Sequence, residues 1–161
     1  MAYVMDIFVD GGCRGNGQPW AVGAAAAVFK LSRGRQESWY RLLPNYPAPT
    51  NQRAEITAII LALQQALKKY RQQYTYHYLE VTIYSDSRYA IRCMTEWIYQ
   101  WRRNGWRNYA GCGVANRDLI EKASNLDNRL KAEGLVEYVW IPRNQNEDAD
   151  RICNEVMDNY Y

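Results

Sequence analysis

At 161 residues, with 48% apolar residues and a formal net charge of +3, the chain has the size and apolar content of one globular domain spanning residues 1–161, and a charge too small to establish a polyanion partner by itself. It has no run of about 18 apolar residues, and its opening MAYVMDIF lacks a basic region followed by a long apolar one, so the expectation is a protein without membrane span or signal peptide, cytoplasmic or else nuclear or organellar, and not secreted. Cys13, Cys93, Cys112 and Cys153 form no C-x-x-C pair, which argues against a zinc knuckle and for reduced thiols.

Val4 to Asp10 (VMDIFVD) mixes β-branched and aromatic residues and reads as a buried strand that finishes at Asp10 and breaks at Gly11-Gly12. The loop GGCRGNGQPW follows; it is rich in glycine but lacks the Lys-Ser/Thr of a P-loop. Ala21 to Leu31 and Gln36 to Leu43 read as two further strands about the Ser32–Arg35 turn, completing an antiparallel meander. Pro44, Pro47 and Pro49 mark an irregular approach to a helix from about Gln52 to Tyr70. Leu79 to Ser85 is a fourth strand with Asp86 at its end. Ser87 to Arg103 has a helical pattern and runs into a Gly- and Asn-containing segment, Asn104 to Gly113. Asp118 to Glu133 repeats Leu119, Ala123, Leu126 and Leu130 as a packing helix, with Gly134 placed to end it. Val136 to Pro142 is a fifth strand, and Asn146 to Tyr160 a last helix with Asp150 bordering its apolar stripe and Glu147 and Asp148 toward solvent.

Four acids do not fit a purely structural account. Ala58, Ile59, Ala62, Leu63, Ala66 and Tyr70 share a helix face with Glu55, so that carboxylate points toward the core, where a lone charge costs several kcal/mol. A capping role for Glu55 is weakened by Gln52, a poor cap, at the position three before it. Asp10 and Asp86 sit at the carboxyl ends of strands, a recurring place for sites in α/β sheets, although Asp86 could serve as a cap or turn residue. If strands one, four and five are parallel neighbours, with the first helix crossing over them in the right-handed sense, Asp10 and Asp86 emerge together, and Glu55 and Asp150 enter from two helices. Such a group repels itself unless cations neutralise it. Hard divalent ions favour all-oxygen cages, and two of them about 3.5–4 Å apart suit phosphodiester hydrolysis. Calcium storage has no EF-hand spacing to support it. Arg88, Arg92, Arg102, Arg103 and Arg107 are interleaved with Tyr89, Trp97, Tyr99, Trp101, Trp106 and Tyr109, a density that suggests phosphate neutralisation beside flat apolar platforms.

In colinear order, FVDGGCRGNG, TNQRAE, YSDS, WIYQWRRNGW and NEDADR resemble the type 1 ribonucleases H over nearly the whole chain. Each motif is moderately specific; their order is highly so. The resemblance implies an α/β ribonuclease H-like fold: a five-stranded mixed sheet, strands 1–3 antiparallel and 1-4-5 parallel, with helices on both faces and a basic protrusion. It implies a monomer that hydrolyses the RNA strand of RNA–DNA hybrids with two Mg2+ ions, Mn2+ being a possible substitute, and leaves 5′-phosphate and 3′-hydroxyl ends. Asp10, Glu55, Asp86 and Asp150 match the metal-binding acids. Asn16, Asn51 and Gln52 match positions that read the RNA strand in the minor groove, where the 2′-OH marks RNA. Thr50 and Asn116 match the pocket for a DNA-strand phosphate, and Tyr89 and Trp97 match aromatics lying against DNA sugars. Trp101, Arg102, Arg103, Trp106 and Arg107 match the basic protrusion that grips the duplex. Turn or cap duty is the bland alternative for the asparagines, and core packing for Trp97.

Two departures stand out. Many relatives carry a His between the fifth strand and the last acid; here that loop is Arg143-Asn144-Gln145, and the single histidine, His77, precedes the fourth strand and is expected at the opposite end of the sheet from Asp86. The chain resembles the variant lacking this His, with Arg143 expected to meet a phosphate. Ala48 stands where some relatives place an Arg beside the phosphate pocket, so a weaker grip on DNA is expected. The rival readings are a DNA-cutting nuclease of the same fold, a catalytically silent hybrid-binding module, and a domain cut from a reverse transcriptase; the protrusion and the initiating Met favour a free-standing enzyme.

Overall fold

The computed structural model describes residues 2–73 and 77–160. The elements are β1 (Ala2–Arg14), β2 (Val22–Lys30), β3 (Gln36–Leu42), α1 (Asn51–Arg71), β4 (Tyr78–Ser85), α2 (Arg88–Arg92), α3 (Ile98–Asn104), α4 (Arg117–Lys131), β5 (Gly134–Trp140) and α5 (Glu147–Asp158). One sheet in the order β3-β2-β1-β4-β5 holds the strands. β1–β2 and β2–β3 pair antiparallel, β1–β4 and β4–β5 parallel, as the meander and the crossover helix require.

Helices cover both faces. On one, Met5, Ile7 and Val9 of β1, with Leu79, Val81 and Ile83 of β4, are fully buried against α1 and α4. On the other, Val22, Ala24 and Ala26 of β2 meet Cys153 and Met157 of α5. β2 is therefore buried on both faces, and its alanines are small enough for helices to approach from either side. No helix among the described residues is long and apolar enough to cross a membrane.

Three local expectations change. β1 does not stop at Asp10; it stays paired with β2 through Arg14. Its glycines serve close packing rather than a turn: a Cβ on Gly11 would lie 2.2 Å from the carbonyl carbon of Ala54 at the start of α1, and one on Gly12 3.1 Å from Met157 Cε. The turn itself uses Gly15 and Gly17, both at positive φ. Gly134 does not end α4, whose C-cap is Ala132; it opens β5, where any Cβ would meet the Leu79 carbonyl oxygen at 2.0 Å. The helix expected over Ser87–Arg103 is interrupted by a π-helical turn, Cys93–Trp97, between α2 and α3, where Thr95 Oγ1 donates to the Ile91 carbonyl.

Candidate active site

A cleft of about 440 Å3 opens where the pairing of β1 with β4 ends, lined by Asp10, Glu55, Asp86 and Asp150 together with Asn51, Arg14 and Arg143. Val9 and Ser85 are the last pair of the parallel β1–β4 ladder, so the next residues, Asp10, still within β1, and Asp86, just past β4, stand side by side. Glu55 arrives from the N-terminal part of α1 and Asp150 from the first turn of α5. The structure thus brings all four acids to one place, although Glu55 is half-buried at the rim rather than in the core.

Other side chains hold these positions. Ser87 accepts the Ala90 N–H as the cap of α2 and donates its hydroxyl to Glu55 Oε2 at 2.6 Å. Asn146, buried at the start of α5, donates to the Val9 carbonyl at 2.8 Å and accepts the Asp150 N–H at its own carbonyl. One residue thereby ties the helix bearing Asp150 to the strand bearing Asp10. Trp140 donates its indole N–H to the Asp86 carbonyl at 3.1 Å.

The electrostatics reflect crowding. Burial, then the Asp86 charge, then the hydrogen bond with Asp150 push the Asp10 carboxyl up to about 8. Burial also raises Asp86, against the pull of Arg143, and raises Glu55, against the Ser87 hydrogen bond. Without a cation, a proton kept on Asp10 relieves the repulsion. Asp86 Oδ2 is buried without a hydrogen-bond partner; Arg143 Nε stands 3.9 Å away, beyond hydrogen-bond range. An orphaned carboxylate oxygen among neighbouring acids is the donor set a hard divalent ion takes. Among the described residues, no three His, Cys, Asp or Glu side chains already converge around one metal-sized point. The hydrogen bond that Asp10 donates to Asp150 occupies an oxygen an ion would compete for, whereas the one from Ser87 fixes Glu55 through Oε2.

The expected substrate residues divide into two groups. Thr50 caps α1, its hydroxyl accepting the Arg53 N–H at 3.1 Å, so the helix starts one residue earlier than expected with a good cap in place. Asn16 accepts the Asn51 N–H at 2.7 Å and pins the β1–β2 turn to that same helix start. Asn51 and Gln52 are exposed beside it. Asn116, at φ 62, donates to the Tyr89 hydroxyl at 3.0 Å and to Gln52 Oε1 at 3.4 Å. Gln52, Tyr89 and Asn116 are therefore tied together by hydrogen bonds beside the start of α1 that Thr50 caps. Trp97 is half-buried, next to Tyr89 at 6.0 Å and Trp101 at 5.8 Å between ring centres, and Trp106 continues the row. A second cleft of about 400 Å3 lies along Tyr89, Trp97 and Trp101.

The basic, aromatic segment is only partly turned to solvent. Arg103 is exposed, but Arg102 turns inward, donating to the Ser124 hydroxyl at 2.7 Å and approaching the buried Asp127 at 3.9 Å. Arg107 donates to the Gly111 carbonyl and braces its own loop. A basic, aromatic sequence run does not distinguish an arginine that faces a neighbouring helix from one that faces solvent. Asp148 likewise is not turned simply to solvent; it pairs with Lys30 at 2.6 Å across the sheet.

Sequence reasoning missed Ser87, Asn146, Trp140 and Arg53. Arg53 forms a two-pronged pair with Asp118 at 3.0 and 2.7 Å, and its guanidinium also reaches Asn116 Oδ1 at 3.5 Å. Ser87, Arg53 and Asn146 stand inside YSDS, TNQRAE and NEDADR, so adjacency to a predicted acid was the signal available; their partners lie 32 to 137 residues away.

The ribonuclease H family model matches residues 3–158. A ribonuclease H of Acidithiobacillus ferrooxidans (strain ATCC 53993 / BNL-5-31) is 34% identical over 161 residues, covering 98% of this chain and 89% of its own. Among solved structures, LC9-RNase H1, described as a type 1 RNase H with the type 2 active-site motif, aligns with a TM-score of 0.73 at 25% identity over 94% of this chain and 71% of its own. RNase H1 from the halophilic archaeon Halobacterium salinarum NRC-1 aligns with a TM-score of 0.67 at 21% identity over 98% of this chain and 99% of its own, a likeness of fold.

Proposed function

Because the chain belongs to the ribonuclease H family and is an endonuclease for the RNA strand of RNA–DNA hybrids, we propose that its reaction is run by Asp10, Glu55, Asp86 and Asp150 as ligands of two Mg2+ ions. Asp10 would hold both ions, Glu55 and Asp86 one of them and Asp150 the other. When bound, the ions supply an activated water and stabilise the leaving oxygen. The observation that carries this reading is the convergence of four carboxyl groups at one sheet end, with Asp10 raised to about 8 and Asp86 Oδ2 left without a partner.

The chain's own residues do the rest. Ser87 orients Glu55, and Asn146 and Trp140 hold the backbone on either side of Asp10 and Asp86. Arg143, exposed and 3.9 Å from Asp86, meets a phosphate of the bound strand in place of the absent loop His. Thr50 and Asn116, held by Arg53, take a DNA-strand phosphate. Asn16, Asn51 and Gln52 face the minor groove, and Tyr89 and Trp97 lie against the DNA sugars.

The test is cleavage of one end-labelled 20-mer offered as RNA–DNA hybrid, RNA duplex, DNA duplex and single-stranded RNA, with Mg2+, Mn2+ or chelator. Hybrid-only cutting that needs the metal and is lost in Asp10→Asn is the expected result. Tight hybrid binding without cutting under any metal would replace it with a binding module.

A further inference from the structure

Most arginines at the cleft end of the molecule are spent on protein groups. Arg53 is paired with Asp118, Arg102 with Ser124 and Asp127, Arg14 with Asp158, and Arg107 with a backbone carbonyl. Arg88 differs. It opens α2 two residues beyond Asp86, its side chain is exposed, and among the described residues it makes no ion pair. Its guanidinium lies over the indole of Trp140, 3.9 Å from the ring centre. Stacking fixes a guanidinium through its face and leaves the N–H donors at its edge free, so the group is held in place yet unsatisfied.

Trp140 is itself anchored, through its N–H bond to the Asp86 carbonyl. Arg88 is thus set against the acid cluster by the same indole that holds the Asp86 backbone. The direction matters as well: Tyr89, the next residue, turns to Asn116 at the start of α4, whereas Arg88 turns to Trp140 at the end of β5. A phosphate near Arg88 would be a neighbour of the one over the acids, on the strand being cut.

We propose that Arg88, stacked on Trp140, binds a phosphate of the cleaved strand beside the scissile one. This rests on the hybrid-cleaving reading above. The test measures binding of a fluorescent RNA–DNA hybrid in chelator, so that nothing is cut, across a salt series. Each phosphate contact adds about 0.9 to the slope of log affinity against log salt. Arg88→Ala is expected to fold normally by circular dichroism, to lose about 0.9 of that slope and to bind roughly three- to tenfold more weakly near 0.1 M salt. Arg88→Gln, which can still donate hydrogen bonds, should lose the same slope. Single methylphosphonates placed along each strand locate the contact: one position in the RNA strand should weaken wild type and leave Arg88→Ala unaffected. An unchanged slope in both variants, or a responsive position only in the DNA strand, would overturn the proposal. Failure of the hybrid reading itself looks different, as a wild-type protein that binds hybrid no more tightly than DNA duplex.

Discussion

Asp10 has the most perturbed environment of the four acids, buried to 8% exposure and touching two others. On the proposed role of Asp10 in holding the ions, Asp10→Asn is expected to lower hybrid cleavage by more than about a hundredfold, with hybrid binding in chelator preserved. Single-turnover cleavage set beside an anisotropy titration separates the two quantities. Ser87 makes a different prediction, because one hydroxyl performs two jobs. Ser87→Ala should cost about 1 kcal/mol of stability through the lost cap, seen as a lower urea midpoint. It should also raise the Mg2+ concentration for half-maximal activity by about 10- to 100-fold, because Glu55 loses the donor that orients it. Equal metal dependence in wild type and variant would show that Glu55 needs no such support.

At the scale of elements, the strand end and the protrusion each contain look-alike residues with opposite expectations. Gly11 and Gly12 are adjacent in β1, but an added methyl meets backbone at Gly11 and the flexible end of Met157 at Gly12. Gly11→Ala should destabilise by about 3 kcal/mol and displace the start of α1, while Gly12→Ala should stay within about 1 kcal/mol. Thermal unfolding of the pair checks this. In the protrusion, Arg102→Ala removes the tie to Ser124 beneath α3 and should cost about 1–3 kcal/mol. Arg103→Ala should leave stability within about 0.5 kcal/mol and instead lower the salt slope of hybrid binding by about 1. Both elements were visible in the sequence as types, a strand and a basic aromatic helix, although the glycines lie within the strand rather than ending it. The sequence did not show which glycine touches backbone or which arginine faces inward, because each depends on a helix contributed from elsewhere in the chain.

Across the whole molecule, the raised acids couple folding to pH and metal. The unfolded Asp10 carboxyl titrates near 3.8 and the folded one near 8, so between those values the folded state holds a proton the unfolded chain has released. Its contribution to stability is full below about pH 4 and is lost as pH rises toward 8, at no more than about 1.4 kcal/mol per pH unit. The metal-free protein should therefore show a melting temperature that falls from pH 5 to pH 8 more steeply than that of Asp10→Asn. Stabilisation by Mg2+ should grow over the same range, since an ion replaces that proton. Scanning calorimetry at several pH values, with and without Mg2+, decides this.

Much of this protein was legible without coordinates. Strand and helix periodicity, the acid just past the fourth strand and the carboxylate on an apolar helix face all follow from local chemistry that each segment carries with it. Five strands, the crossover and the meeting of Asp10, Glu55, Asp86 and Asp150 at one sheet end could be read for that reason. What tertiary structure alone decided is how those acids are held and what surrounds them. The Ser87–Glu55, Asn146–Val9 and Trp140–Asp86 bonds, the inward turn of Arg102 and the outward stack of Arg88 join residues far apart in sequence. A side chain's partner across the fold leaves no periodic trace in its own segment. It is set by the distance between packed elements, and here that distance depends on an alanine-lined strand and on glycines that let α1 and α5 close onto the sheet.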